Sequence, residues 1–148
     1  MRLLLIATLL CLGSLGCKDA KSSDVSGTWV VNDESRHRFL PSSQQKGVAK
    51  IVLDANGTFV ASEIPEDLLY EIPQTADGLI TGSGVWKLFS REGKEQVQLN
   101  FKTITIGPRR TAPYGTQLYV SGRGSAVSLY YFQGGDADQG RRIEFEKK

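Results

Sequence analysis

From Gly27 to Lys147 the chain repeats one theme: a short β-prone run, then a turn built from Gly, Asn, Asp or Pro. Val97, Leu99 and Phe101 alternate with Gln98, Asn100 and Lys102, the period-two pattern of a half-buried strand. Asp54-Ala55-Asn56-Gly57 separates two such runs, and Asn-Gly favours a hairpin because both residues tolerate positive φ. The same pattern places strands at 27–31, 48–53, 58–64, 80–89, 97–106, 118–121, 127–133 and 142–147. Eight short strands in succession, joined by turns, predict an all-β fold. The expected form is an antiparallel up-and-down meander that closes into a barrel.

Two segments interrupt the meander. Residues 34–40 lie between the first two strands and can form a helical turn before Pro41. Pro65-Glu66-Asp67 sets a proline and two acids at a helix start, so one short helix is expected over 65–70, between strands three and four. Trp29, Phe59, Trp86, Phe101, Tyr131 and Phe145 fall on inward faces. An eight-stranded barrel either fills with side chains or holds one small ligand. The large rings argue for filling, whereas inward Gly82, Gly84 and Ala61 argue for room. Gly82-Ser83-Gly84 itself reads as a close-packing or bulge site. The balance favours a mostly filled barrel with a shallow pocket at a mouth near 65–78.

Composition narrows the class without naming a task. The 148 residues suit one domain, and 18 Lys plus Arg against 16 Asp plus Glu leave a net charge of +2. That balance leaves no nucleic-acid footprint. The charges are unevenly spread, however. Residues 63–77 hold five acids and no Lys or Arg, whereas 96–135 hold four cations and no acid.

The N-terminus reads as an address. Met1-Arg2, an apolar run over 3–12 and the small-residue site Gly13-Ser14-Leu15-Gly16-Cys17 make a secretory signal peptide. The run is too short to span a bilayer, which needs roughly 20 residues. Gly16-Cys17 after the apolar run resembles a bacterial lipobox, although Ser14 stands where a Leu is usual. The resemblance implies cleavage before Cys17, diacylglycerol on its sulfur and acylation of the new amino group. Ser14 and Gly16 would also suit an ordinary signal peptidase, which would leave Cys17 free. Cys11 lies in the leader, so Cys17 is the one cysteine of the mature chain and cannot form an intramolecular disulfide. Lys18 rather than Asp follows it, which favours the periplasmic face of an outer membrane. The expected organisation is therefore a lipoprotein signal peptide over 1–16, lipidated Cys17 with a polar tether over 17–26, and a barrel domain over 27–148.

The first strand opens Gly27-x-Trp29, Asn56-Gly57-Thr58-Phe59 and Gly82-Ser83-Gly84-Val85-Trp86 follow, and Tyr130-Tyr131-Phe132-Gln133-Gly134 precedes the last strand. These motifs on eight successive strands resemble the lipocalin-like (calycin) barrels of small bacterial lipoproteins, over 27–148. The resemblance implies an Arg packed on Trp29 from a late strand, for which Arg141 or Arg142 is placed. It also implies a helix after the last strand, which this sequence lacks up to Lys148.

Equipment for catalysis is sparse. His37 is the one histidine, flanked by Arg36 and Arg38, and no Gly-x-Ser-x-Gly elbow or zinc pattern accompanies it. Asp136-x-Asp138 lacks the further oxygens of a calcium loop. The expectation is a non-enzymatic binding protein with no cofactor and no metal. A small hydrophobic ligand would lie against Trp29, Trp86 and Tyr131, with Leu68, Leu69 and Tyr70 as a lid. The alternative is an interaction or inhibitor-type lipoprotein that docks an envelope protein through Arg109, Arg110 and Arg123.

Overall fold

The computed structural model describes residues 20–40, 42, 45, 47–69, 78–106, 109–111, 114–133, 138 and 141–148, with 109–111 described for the backbone alone. The leader, Cys17, Tyr70 and Asp136 lie outside the described residues, as do the side chains of Arg109 and Arg110.

Among the described residues nine strands form one antiparallel sheet: β1 (Gly27–Val31), β2 (Lys50–Leu53), β3 (Thr58–Pro65), β4 (Leu79–Arg91), β5 (Lys94–Ile106), β6 (Arg109–Thr111), β7 (Tyr114–Ser121), β8 (Ser128–Phe132) and β9 (Arg142–Lys147). Each strand pairs with the next along the chain, except that β5 passes over β6 to β7. The first and last strands also pair, Trp29 opposite Lys147 and Val31 opposite Phe145, so eight strands close into a barrel. The expected up-and-down barrel is therefore the fold, with β6 as a short extra strand on the far end of β5. Sequence alone did not reveal β6, because Gly107-Pro108 looks like a terminator.

Alternation holds along most of β4 and over 97–101 of β5, and slips where the register shifts. In β4, Ile80, Gly82, Gly84 and Trp86 are buried while Thr81, Val85 and Lys87 are exposed. All six rings expected inside are buried, and they share one continuous core with Ile51, Leu53, Leu99, Leu118, Leu129 and Ile143. Gly82 and Gly84 do not leave room. Phe101 fills it: a Cβ on Gly82 would stand 2.7 Å from the Phe101 ring, which packs edge-on against Phe59 at 4.8 Å. A Cβ on Gly84 would collide with the Asn100 carbonyl, where a register shift between Ser83 and Gly84 marks a bulge.

The helices are short. The expected helix between strands three and four is a single 3-10 turn, Glu66–Leu68. The longest helix among the described residues, α2 (Asp33–Phe39), lies between β1 and β2 and is capped by the Asn32 side chain on the Ser35 amide. A one-turn helix, α1 (Ser22–Val25), falls in the segment expected to be a polar tether. It is packed rather than loose: Val25 is fully buried, and the Trp29 indole donates to its carbonyl at 2.7 Å.

Register assigns the loops to two rims. The N-terminal rim carries the chain entry at Gly27, the 54–57 hairpin, the turn after Arg91 and the loop after Ser121. The far rim carries the 66–69 turn, the β5–β6 junction and the β8–β9 connection.

Candidate functional site

Glu66, Asp67, Thr116 and Tyr131 bring polar groups together toward the far rim of the barrel. Pro65 closes β3, and the chain then turns inward instead of continuing along the sheet. The turn is fixed at both ends, by Glu66 N–H to the Gly78 carbonyl and by Leu69 N–H to the Glu66 carbonyl, each 2.9 Å. Gly78 has no side chain because the Glu66 carboxylate occupies that space. Leu68 and Leu69 are both fully buried and complete the core at this end. The turn is thus a plug seated in the barrel.

Two wall residues hold the plug. The Thr116 hydroxyl donates to the Leu68 carbonyl at 2.9 Å, and the Tyr131 hydroxyl donates to the Asp67 carboxylate at 2.7 Å. Burial pushes the Asp67 carboxyl above its ordinary range, while hydrogen bonds from Tyr131, the Gln133 side chain and its own amide pull it back. Burial first, and then the neighbouring Asp67 charge, push the Tyr131 hydroxyl well above the usual tyrosine range. That hydroxyl is therefore a fixed donor and not a base. The arrangement suits the recognition of a polar end group beside an apolar body.

The residues expected to line a ligand site do not converge. Tyr131 and Leu69 both lie toward the far rim, buried in the same core. Trp29 and Trp86 belong to the N-terminal rim, where the Trp86 indole donates to the Asp54 carbonyl at 2.8 Å. The cation over Trp29 is Lys147, 5.6 Å from the ring, and not Arg141 or Arg142. Arg142 instead stacks on Tyr130 outside the barrel, 3.9 Å from its centroid, and pairs with Glu144. Gly27 explains the Gly-x-Trp opening. Its φ is +140°, and a Cβ there would meet the Lys147 stem at 2.6 Å, on the path that Lys147 takes to the Asp24 carbonyl.

The three arginines of the expected partner surface are also divided. Residues 109 and 110 pair with the end of β5 at the far rim, whereas Arg123 lies in the loop after Ser121 at the opposite rim. His37 is exposed on α2. Among the described residues no group of three His, Cys, Asp or Glu side chains could hold a metal, and no helix is long and apolar enough to cross a membrane.

The outer wall shows a feature that sequence reading passed over. Tyr119, Tyr130 and Phe132 form a three-ring cluster with centroids 5.3–5.6 Å apart. Two open grooves flank it. One, about 520 Å³, is lined by Ala20, Lys94, Glu95, Tyr119, Arg123 and Tyr130 among others. The other, about 310 Å³, lies between α2 and β9 beside Arg142. The alternation that set Leu118, Leu129 and Tyr131 inside already set these rings outside. Comparison with family models, with curated proteins and with solved structures finds no match to this chain.

Proposed function

We propose that the chain is a non-enzymatic lipoprotein of the bacterial cell envelope. Acylated Cys17 anchors it, on the periplasmic face of the outer membrane, and its lipocalin-like barrel takes a small hydrophobic ligand at the far rim. The observation that carries the ligand reading is the plug. Leu68 on a single 3-10 turn and Leu69 just after it pack into the barrel mouth beside the wall residues Ile64, Ile80 and Ile106. Each leucine contributes about 1.5–3 kcal/mol by being buried there. A ligand with an apolar body that takes their place recovers the same burial. Its polar end then meets the hydroxyls of Tyr131 and Thr116, the two wall groups that the plug now engages. Opening costs the two side-chain hydrogen bonds, each about 1 kcal/mol net. The anchor reading is supported by the leader and by Gly16-Cys17.

Native mass spectrometry of protein purified from its own host tests the ligand. The expected result is a retained lipid-sized mass. A titration with a medium-chain fatty acid should then shift Tyr131 and the 66–69 amides in NMR spectra, saturably. Leu68→Ala, which leaves less to displace, should bind more tightly. Empty protein together with no saturable shift overturns the reading.

A further inference from the structure

The 520 Å³ groove of the outer wall lies beside the point where the anchor joins the domain. Ala20 lines the groove, and its amide donates to the Glu95 carboxylate there. From Lys21 onward the chain is committed to the barrel through α1 and Val25. Only Lys18 and Asp19 separate Ala20 from Cys17. Three residue steps reach at most about 11 Å when fully extended. A diacylglyceryl group on Cys17 puts its acyl chains in the hydrocarbon layer and its thioether among the headgroups, a zone roughly 5–8 Å deep. The groove therefore stands within one tether length of the bilayer surface.

Its lining suits that neighbour. Tyr119 and Tyr130 offer rings with an apolar body and a polar tip, the side chains that settle at membrane–water interfaces. Lys94 and Arg123, both exposed, lie beside them on long apolar stems and can reach a phosphate. Glu95 accepts from the Ala20 amide and sets one carboxylate against the two cations. Resting on the anchor reading of Cys17, we propose that this groove binds phosphate headgroups of the leaflet that holds the anchor. The barrel then stands with its N-terminal rim on the membrane and the 66–69 plug facing away from it.

The test uses the full lipidated chain in vesicles of phosphatidylethanolamine and phosphatidylglycerol. With Cys17 acylated and Cys11 in the removed leader, a single new cysteine can carry a fluorophore. Ser125→Cys reports on the loop beside the groove, and Thr81→Cys reports on exposed wall toward the far rim. On vesicle binding, iodide quenching at position 125 should fall about threefold or more while position 81 stays open, as expected for a site inside the headgroup layer. Lys94→Glu with Arg123→Glu should restore quenching at 125 although the protein still floats with the vesicles. Protein that floats with position 125 fully open overturns the groove assignment and leaves the anchor standing. Protein that neither floats nor carries a lipid mass on its N-terminal peptide overturns the anchor, and the groove assignment with it. Protection at 125 in Cys17→Ser protein without vesicles assigns the groove to a second copy of the chain and likewise overturns the proposal.

Discussion

At the N-terminal rim both indoles donate to main-chain carbonyls, Trp29 to Val25 and Trp86 to Asp54. At the far rim a tyrosine hydroxyl donates to a half-buried carboxylate on a single turn. The first kind of closure joins neutral groups, so pH does not touch it, and it ties the wall to backbone that cannot rotate away. The second kind depends on an ionisable group, and it holds a segment that does not belong to the wall. One barrel thus has a fixed end and an end that can exchange. On the proposed anchor at Cys17, the tether enters at the fixed end, so pulling on it loads the part of the molecule least able to open.

The largest effect should come from the fixed end. Trp29→Ala removes a fully buried indole from the floor of the core and strands the Val25 carbonyl. Denaturant unfolding should show a loss of about 3–5 kcal/mol. Leu68→Ala at the far rim should cost less, about 2–3 kcal/mol, because a single turn can settle into the space it leaves. The contrast breaks if Leu68→Ala costs as much as Trp29→Ala. Amide hydrogen exchange sharpens it further: Leu69 should exchange faster than Val25 in the wild-type chain, since opening the plug requires only local rearrangement.

Tyr131→Phe is the next step down. It leaves the Asp67 carboxylate without its wall donor and should cost about 1–3 kcal/mol at neutral pH. Its pH dependence distinguishes a plug bond from mere packing. Below about pH 4 Asp67 holds its proton whether the chain is folded or not. Burial raises the carboxyl in the folded chain, so the folded state keeps the proton longer as pH rises. The favourable contribution is therefore complete at low pH and is lost as pH climbs through the raised folded value. Asp67→Asn should flatten that slope. Tyr131→Phe should widen its range, because the Tyr131 hydrogen bond is what pulls the carboxyl back toward normal. Equal slopes in all three proteins would remove the ionisable character assigned to this rim.

The sequence made the strands and turns legible because each depends on near neighbours. Alternation at 97–102 and Asn56-Gly57 needed no knowledge of the rest of the chain. What stayed hidden depends on closure. Lys147 meets Gly27 and Trp29 only because the last strand pairs with the first. Asp67 and Tyr131 stand 64 residues apart. Glu66 and Asp67 looked like acids that complement a helix dipole, yet their backbone makes one 3-10 turn and their carboxylates turn toward the core. The reading of 82–84 as a close-packing or bulge site holds, but the room that Gly82 and Gly84 also argued for is taken up, for the same reason. A glycine records close approach, but the partner that approaches, Phe101, is identified only by register. Helix α1 escaped notice because a four-residue turn leaves no period in the sequence, and Val25 alone marks its buried side.

The smallest effect should come from Lys147, and it tests whether the fixed end owes its closure to neutral bonds. The Lys147 stem crosses Gly27, the ammonium lies 5.6 Å from the Trp29 ring, and it donates to the Asp24 carbonyl at 2.9 Å. Lys147→Met keeps the apolar stem over the indole while removing the charge and that donor. An exposed cation–π contact contributes about 0.5–1 kcal/mol, so the unfolding free energy should fall by that amount. The Val25 amide should stay as protected as before, because the bond from the Trp29 indole to its carbonyl remains. If Lys147→Met instead opens Val25 to exchange as readily as Leu69, then both rims are held by charged side chains, and the distinction between a fixed and an exchanging end disappears.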